Sequence, residues 1–365
     1  MRKDNHNMTD QVQFEVFGNL GKITLNRPKA LNALTTEMCK AMIKAMQAWE
    51  NDDRIGAVLV EGAGDRAFCA GGDIVMLQES AKSGDGRAEE FWRTEYALNE
   101  LIHRYKKPYI AMIDGIVMGG GVGLSVHGRL QVAGDNTLFA MPETGIGYFP
   151  DVGGTYFLPR LGRDIGNWLG LTGARLKTKQ ACALGIANVY IPSDQHQAFI
   201  TALGKADLDG LDGPVMDVIK HYVKQPDMPD NLPAAISAFD KHTLPEIYTA
   251  LRAYGNMKVN KDNEANINWA AKQLAFLESK SPLAVYITYE ALRRGGGFDF
   301  RETMRQELDL SLNFLHIPDF IEGVRAAVID KDRNPKWAAA SIEDVNFDDI
   351  RAAFSQAPKE LKFLD

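Results

Sequence analysis

The sequence predicts an α/β fold followed by a mostly helical C-terminal region. Three observations carry this expectation. Short apolar runs over 55–60 and 109–113 have the length and unbroken hydrophobicity of strands covered on both faces. Between 109 and 133 the order is strand, glycine-rich loop, helix, strand, the rhythm of a parallel βαβ unit with a right-handed crossover. From about Ser193 the strand-like runs stop and helical stretches follow one another.

Taken in order, Val12–Phe17 and 22–25, split by Gly18 and Asn19, predict a β-hairpin. Arg27 and Pro28 end the second strand, and Thr35 caps a helix that runs to about Glu50. Within it Met38, Met42, Met46 and Trp49 recur at spacings of three and four, a buried face that is core packing. The segment 66–73 (Arg-Ala-Phe-Cys-Ala-Gly-Gly-Asp) predicts a tight glycine turn, 80–87 a polar loop, and 88–107 a second helix. After the strands at 109–113 and 130–133, Arg160 to Arg163 lead into a helix, 181–187 continues helical, and a last strand falls around 189–191. Pro226, Pro229, Pro233, Pro245, Pro282 and Pro318 then punctuate the helical region. The expected organisation is a core over 12–193, a helical region over 194–345 completing the site or making oligomer contacts, and peripheral tails at 1–11 and 346–365.

Composition narrows the class. The chain has 365 residues, 45% of them hydrophobic, enough for a sizeable core and too apolar for intrinsic disorder. A formal net charge of −7 argues against general affinity for nucleic acid or anionic membranes. Cys39, Cys69 and Cys182 are too few and too scattered for a disulfide framework or a zinc site, so no metal is expected. Residues 1–12 are polar and mixed in charge, unlike a secretory signal or an Arg-rich transit peptide, and no stretch is apolar for long enough to cross a bilayer. The expectation is a soluble, cytoplasmic protein without nucleic-acid or membrane partners.

Chemistry concentrates in 139–155. Here Glu143 and Asp151 stand among apolar residues, glycine and proline, in Met141-Pro-Glu-Thr-Gly-Ile-Gly-Tyr-Phe-Pro-Asp-Val-Gly-Gly154. Such a segment makes a rigid, shaped loop, and carboxylates among apolar groups are tuned upward, toward useful basicity near neutral pH. The run Met118-Gly-Gly-Gly-Val-Gly-Leu-Ser125 and the turn at Gly71-Gly72 each precede a helix. A helix start offers free backbone N–H groups to an anion or developing oxyanion. Neither run has the spacing of a dinucleotide fingerprint or a phosphate-binding loop, which excludes a nucleotide-cofactor oxidoreductase and a kinase. His103 and His127 are read as packed or capping residues.

In combination these motifs are far more specific. Ala67-Phe-Cys-Ala-Gly-Gly-Asp73, the Gly119-Gly120-Gly121 turn, Pro142-Glu143 and Pro150-Asp-Val-Gly-Gly-Thr155, in that order, resemble the crotonase (enoyl-CoA hydratase/isomerase) superfamily, from near Gly21 to Ser193. Within it, Met118 to Gly128, Phe139 to Gly154, Glu322-Gly-Val-Arg-Ala-Ala-Val-Ile-Asp-Lys-Asp332 and Pro335-Lys-Trp337 are similar to the 3-hydroxyisobutyryl-CoA hydrolase branch.

The resemblance implies a spiral of repeated ββα units with an acyl-CoA thioester lying across it. It implies backbone N–H donors at Gly72 and Gly120 for the thioester carbonyl, Glu143 as the catalytic glutamate, Asp151 as the second acid of the hydrolase branch, and Glu95 as a substrate contact. Arg27, Lys29 and Arg66 are the basic candidates for the CoA phosphates, with Ala30 and Ala70 as further CoA contacts. It implies no cofactor beyond the CoA of the substrate, a place in valine breakdown, and a family in which trimers and hexamers are common. Hydratases of the superfamily carry a second glutamate where this chain has Gly123, which counts against plain hydration. Glu143 as base on water or as nucleophile remain alternatives, and so do a hydratase or isomerase on the same fold and a non-catalytic relative.

Overall fold

The computed structural model describes residues 10–227, 232–356 and 359–364. The expected break at Pro229 and the expected tail over 1–9 lie outside the described residues.

Among the described residues ten strands form two sheets. The strands are β1 (Val12–Phe17), β2 (Leu20–Leu25), β3 (Ala57–Gly62), β4 (Ala67–Cys69), β5 (Tyr109–Ile113), β6 (Ile116–Met118), β7 (Leu130–Ala133), β8 (Leu138–Ala140), β9 (Leu176–Lys177) and β10 (Val189–Tyr190). The larger sheet has the order β1-β2-β3-β5-β7-β10 and the smaller β4-β6-β8-β9. Each successive ββ pair, β3–β4, β5–β6 and β7–β8, therefore gives its first strand to one sheet and its second to the other. That is the repeated turn of the spiral. The hairpin β1–β2 is antiparallel with Phe17 opposite Leu20, and β2, β3, β5, β7 and β10 run parallel to their neighbours. Gly18 makes the hairpin turn at φ 59°, with a Cβ there landing 2.0 Å from the Gly204 carbonyl oxygen.

The central strands of the larger sheet, β3, β5 and β7, are buried on both faces, and alternation along each strand sorts the residues. Ala57 and Leu59 of β3 and Ile110 and Met112 of β5 pack with Phe199, Leu203 and Val215, under helices His196–Lys205 and Asp212–Ile219. Val58, Val60, Ala111 and Ile113 face the main core, with Met38, Met42 and Met46 of helix Thr36–Glu50. Thr35 caps that helix by accepting from Met38 N at 3.3 Å.

Three expectations change. The predicted polar loop at 80–87 shrinks to 84–86, because helix Ile74–Ser83 extends through it. Its end is fixed by Ser80, whose Oγ donates to Asp85 at 2.6 Å and accepts from Ala88 N at 3.0 Å. The three-residue strands β4, β6 and β8 are too short for a periodicity to register. The stretch over 346–365 is not peripheral in its described part: helix Phe347–Ala353 buries Ile350 and Ala353. Arg93 donates to the carbonyls of Lys359 and Glu360, at 2.8 and 3.0 Å.

Beyond 193 the chain is helical, with Pro282 and Pro318 in the first turns of helices Pro282–Gly295 and Pro318–Val324, where a missing N–H is harmless. These helices press on the carboxylate loop. A Cβ on Gly147 would lie 2.2 Å from the Asp319 carbonyl oxygen, and one on Gly323 2.3 Å from the Ile146 carbonyl carbon.

Candidate active site

The two glycine turns converge because neighbouring backbone pins each in place. Ala70 N donates to Leu31 O at 3.0 Å, Leu34 N to Gly71 O at 2.8 Å and Asp73 N to Leu34 O at 3.0 Å. The N–H of Gly72, between these bonds, has no protein acceptor among the described residues. The second turn bends at Gly119 (φ 48°) into the short helix Gly120–Gly123, whose first N–H has no intrahelical partner. Gly121 is required by close approach, since a Cβ there would sit 2.1 Å from the Cys69 carbonyl oxygen. A Cβ on Gly71 would be 3.9 Å from Gly120 N, and one on Gly119 3.4 Å from Glu143 Oε1. The free N–H groups of Gly72 and Gly120 and the Glu143 carboxylate thus border one space, a cavity of about 770 Å³.

Three buried acids line it, Glu95 (2% exposed), Glu143 (6%) and Asp151 (6%), and a fourth, Glu307 (0%), is buried behind the loop that follows Asp151. Glu143 opens the helical turn Glu143–Ile146, and its Oε2 has no protein partner. Burial, then the charge of Asp151, holds its pKa well above the ordinary glutamate range. Glu95 is raised in the same way, by burial and then by Asp151 and Glu307, and its Oε1 is also unpartnered. Asp151 differs. Burial lifts it to about 6, while Tyr96 Oη, donating at 2.7 Å, and Tyr148 Oη, at 3.3 Å, favour its charged form. Both tyrosine hydroxyls also meet Ser311 Oγ, at 2.6 and 2.7 Å. Glu307 holds the far end of the loop by accepting from Gly153 N at 2.7 Å, Thr155 N at 2.9 Å and Thr155 Oγ1 at 2.6 Å. Burial raises it to about 8 against the pull of those donors.

The structure brings together Gly72, Gly120, Glu95, Glu143 and Asp151, and Ala70 joins them on the cavity wall. Glu95 lies against Gly120: a Cβ there would be 2.4 Å from its Oε1. At Gly123 a Cβ would stand 2.7 Å from both Val152 Cβ and Asn99 Nδ2, so the position has no room for a second glutamate. His127 donates from Nε2 to the Val152 carbonyl at 2.7 Å, and burial depresses its pKa to about 4. It is a neutral brace for the residue after Asp151, and His103 stacks on Phe300 with ring centroids 4.1 Å apart.

None of the basic candidates lines the cavity. Arg27 is bound to Asp73 at 3.2 Å and to the Ala33 carbonyl at 2.6 Å, while Lys29, Ala30 and Arg66 are exposed and outside the cavity lining. Lining it instead are Arg175, Lys280 and Arg333. Tyr96, Tyr148, Ser311 and Glu307 were also missed. One signal was available: Phe300, Thr303, Met304, Glu307, Leu308, Ser311 and Phe314 form one helical stripe, with an acid in an otherwise mostly apolar face. Among the described residues no cluster of His, Cys, Asp and Glu fits a metal ion, and no helix is long and apolar enough to cross a membrane.

Comparison with known proteins gives a consistent result. The sequence model of the enoyl-CoA hydratase/isomerase family matches residues 20–354. A Xenopus laevis protein named "3-hydroxyisobutyryl-CoA hydrolase, mitochondrial" is 42% identical, covering 99% of this chain and 94% of that protein. A carnitinyl-CoA dehydratase from Mycobacterium thermoresistibile superposes with a TM-score of 0.85 at 38% identity, over 97% of this chain and 99% of its own. An enoyl-CoA hydratase from Rhodobacter sphaeroides 2.4.1 gives 0.83 at 35% identity, over 97% and 100%. The mitochondrial name of the first does not support the cytoplasmic location expected from the sequence.

Proposed function

This chain belongs to the enoyl-CoA hydratase/isomerase family, and we propose that it hydrolyses 3-hydroxyisobutyryl-CoA to 3-hydroxyisobutyrate and CoA, within valine breakdown. The observation that carries this is the unpartnered oxygen of buried Glu143, facing two glycine turns, with no room for a glutamate side chain at position 123.

The geometry divides the work. The N–H groups of Gly72 and Gly120 accept the charge that develops on the thioester oxygen, in a space shielded from water where such donors act most strongly. Ionised Glu143 either removes a proton from water attacking the carbonyl carbon or attacks that carbon itself, forming an anhydride that water then opens. In both routes the C–S bond breaks and CoA leaves as the thiol after protonation. Label from ¹⁸O-water enters the Glu143 carboxylate only in the second. Neither route calls for a metal. Asp151, oriented by two tyrosine hydroxyls, binds the 3-hydroxyl of the acyl group. The names of the two solved structures favour a hydratase as the second reading, but the position after the glycine turn where hydratases carry their second glutamate is Gly123, and its contacts leave no room for a side chain there. Two unpartnered buried acids argue against a non-catalytic role, since such groups are costly to keep without a task.

The test is thiol release from 3-hydroxyisobutyryl-CoA and isobutyryl-CoA, by wild type and Asp151→Asn, without added metal. The wild type is expected to cleave the hydroxylated ester, and Asp151→Asn to lose at least about tenfold more kcat/KM on it than on the plain ester. Glu143 must be ionised to act, so the rate falls as pH drops through its raised pKa. Removing the Asp151 charge should move that acid limb to lower pH. Equal losses on both esters would assign Asp151 to water or leaving group, and hydration of crotonyl-CoA without thiol release would select the hydratase reading.

A further inference from the structure

The turn that follows Asp151 is built against the preference of its own sequence. Gly154 N donates to Asp151 O at 2.7 Å, and the two residues between, Val152 and Gly153, have φ of 53° and 82°. That combination is a type I′ turn, whose first central position ordinarily holds asparagine, aspartate or glycine. Here it holds valine. Among the described residues five other than glycine have positive φ, and Val152 is the only β-branched one, the kind of side chain that the left-handed region tolerates least.

The side chain explains why a valine stands there. It is buried, lines the cavity beside Asp151, and fills the space over Gly123, where a Cβ would lie 2.7 Å from Val152 Cβ. Asparagine or glycine would suit the backbone and leave that wall polar or open. The conformation of the turn must therefore be imposed by its neighbours. Tyr96 and Tyr148 bind the Asp151 carboxylate, and Glu307 accepts from Gly153 N at 2.7 Å.

The remaining hold is on the Val152 carbonyl, which accepts from His127 Nε2 at 2.7 Å. The imidazole lies flush on the turn, since a Cβ on Gly153 would be 2.4 Å from that nitrogen. Phe300 fixes the ring from the far side, edge to face, with centroids 4.7 Å apart. Relaxing Val152 to negative φ would reorient the peptide that carries this carbonyl. The His127 bond and the turn are thus made or lost together.

We propose that His127 is a positioning residue for the 3-hydroxyl site: through the Val152 carbonyl it holds the strained turn closed and so aims the Asp151 carboxylate at the acyl group. This rests on the reading of Asp151 given above. His127 is outside the cavity lining and touches no substrate. It belongs to the segment that also presents the Gly120 N–H, so one short stretch of chain places both the oxyanion donor and the second acid.

Strain makes the proposal testable by suppression. Val152→Gly suits a type I′ turn without help from His127. His127→Phe keeps a ring of similar size and removes the donor. Melting temperature, and kcat/KM on 3-hydroxyisobutyryl-CoA and isobutyryl-CoA, are measured for both single variants and the double. His127→Phe is expected to cut the preference for the hydroxylated ester on the order of tenfold, the scale of one lost hydrogen bond. Partial unfolding would instead lower both rates equally. Made together with Val152→Gly, the same change should cost much less of that preference and fewer degrees of melting temperature. His127→Gln, whose amide can still donate, should keep the preference near that of wild type. Equal losses with and without Val152→Gly would show that His127 only packs, and overturn the proposal. If His127→Phe alone does not fold, folding of the double variant supports the proposal and its failure overturns it. A preference lost in Asp151→Asn but kept in His127→Phe defeats the proposal alone. A preference unchanged in Asp151→Asn defeats the reading of Asp151, while suppression in melting temperature still ties His127 to the turn.

Discussion

Glu143→Gln is expected to lower kcat for thioester hydrolysis at least about a hundredfold while leaving CoA binding nearly unchanged. The substitution keeps side-chain length and one acceptor oxygen, so the turn Glu143–Ile146 should survive, held as it is by Gly145 N to Pro142 O at 2.9 Å and Tyr148 N to Glu143 O at 3.0 Å. What it removes is proton affinity and nucleophilicity. Its Oε2 has no protein partner among the described residues, so the change there breaks no internal bond. Single-turnover kinetics with a parallel binding titration separate the two quantities. A variant within a few-fold of wild type would assign the chemistry elsewhere, with Asp151 next in line.

The largest effect on stability is expected at Glu307, which touches no substrate. Glu307→Ala strands the N–H groups of Gly153 and Thr155 and the Thr155 hydroxyl in a dry interior. Each such orphan is costly, and together they should destabilise the fold by at least about 3 kcal/mol. Activity should collapse as well, because Gly153 follows Asp151 by two residues. The pH dependence has a definite sign. The folded pKa of about 8 lies above the unfolded value, so folding takes up a proton; that contribution is complete below the ordinary glutamate pKa and is lost as pH rises through about 8. Melting temperature measured from pH 6 to 9 should fall for the wild type and fall less for Glu307→Gln. Identical slopes would show that Glu307 is already ionised in the folded chain at neutral pH.

Much of the frame was legible because it is written in local patterns. The stripe of Met38, Met42, Met46 and Trp49 and the unbroken apolar run along 55–60 mark buried surfaces, and both are buried as expected. Glu143 and Asp151 could be found because glycine and proline surround them within a few residues. Their partners could not. Tyr96 and Ser311 lie 215 positions apart, and Gly153 and Glu307 154 apart, so no window of sequence contains either pair. One basic residue has a distant partner of the same kind. Arg27 looked free in sequence, but its partner Asp73 lies 46 positions on and absorbs it.

The acidic floor has a further consequence for how a turnover ends. The acyl group arrives as an uncharged ester and leaves as a carboxylate, formed among Glu95, Glu143 and Asp151. In a medium of low polarisability, like charges a few ångströms apart repel strongly. Cleavage thus turns a well-matched guest into one its host expels, while the CoA thiol gains no charge and keeps its grip on the rim. Where water attacks the thioester directly, the order of departure follows, acid before thiol. In product-inhibition kinetics 3-hydroxyisobutyrate should be the weaker inhibitor by far, and equal inhibition by the two products would show that the floor takes up a proton before the acid leaves.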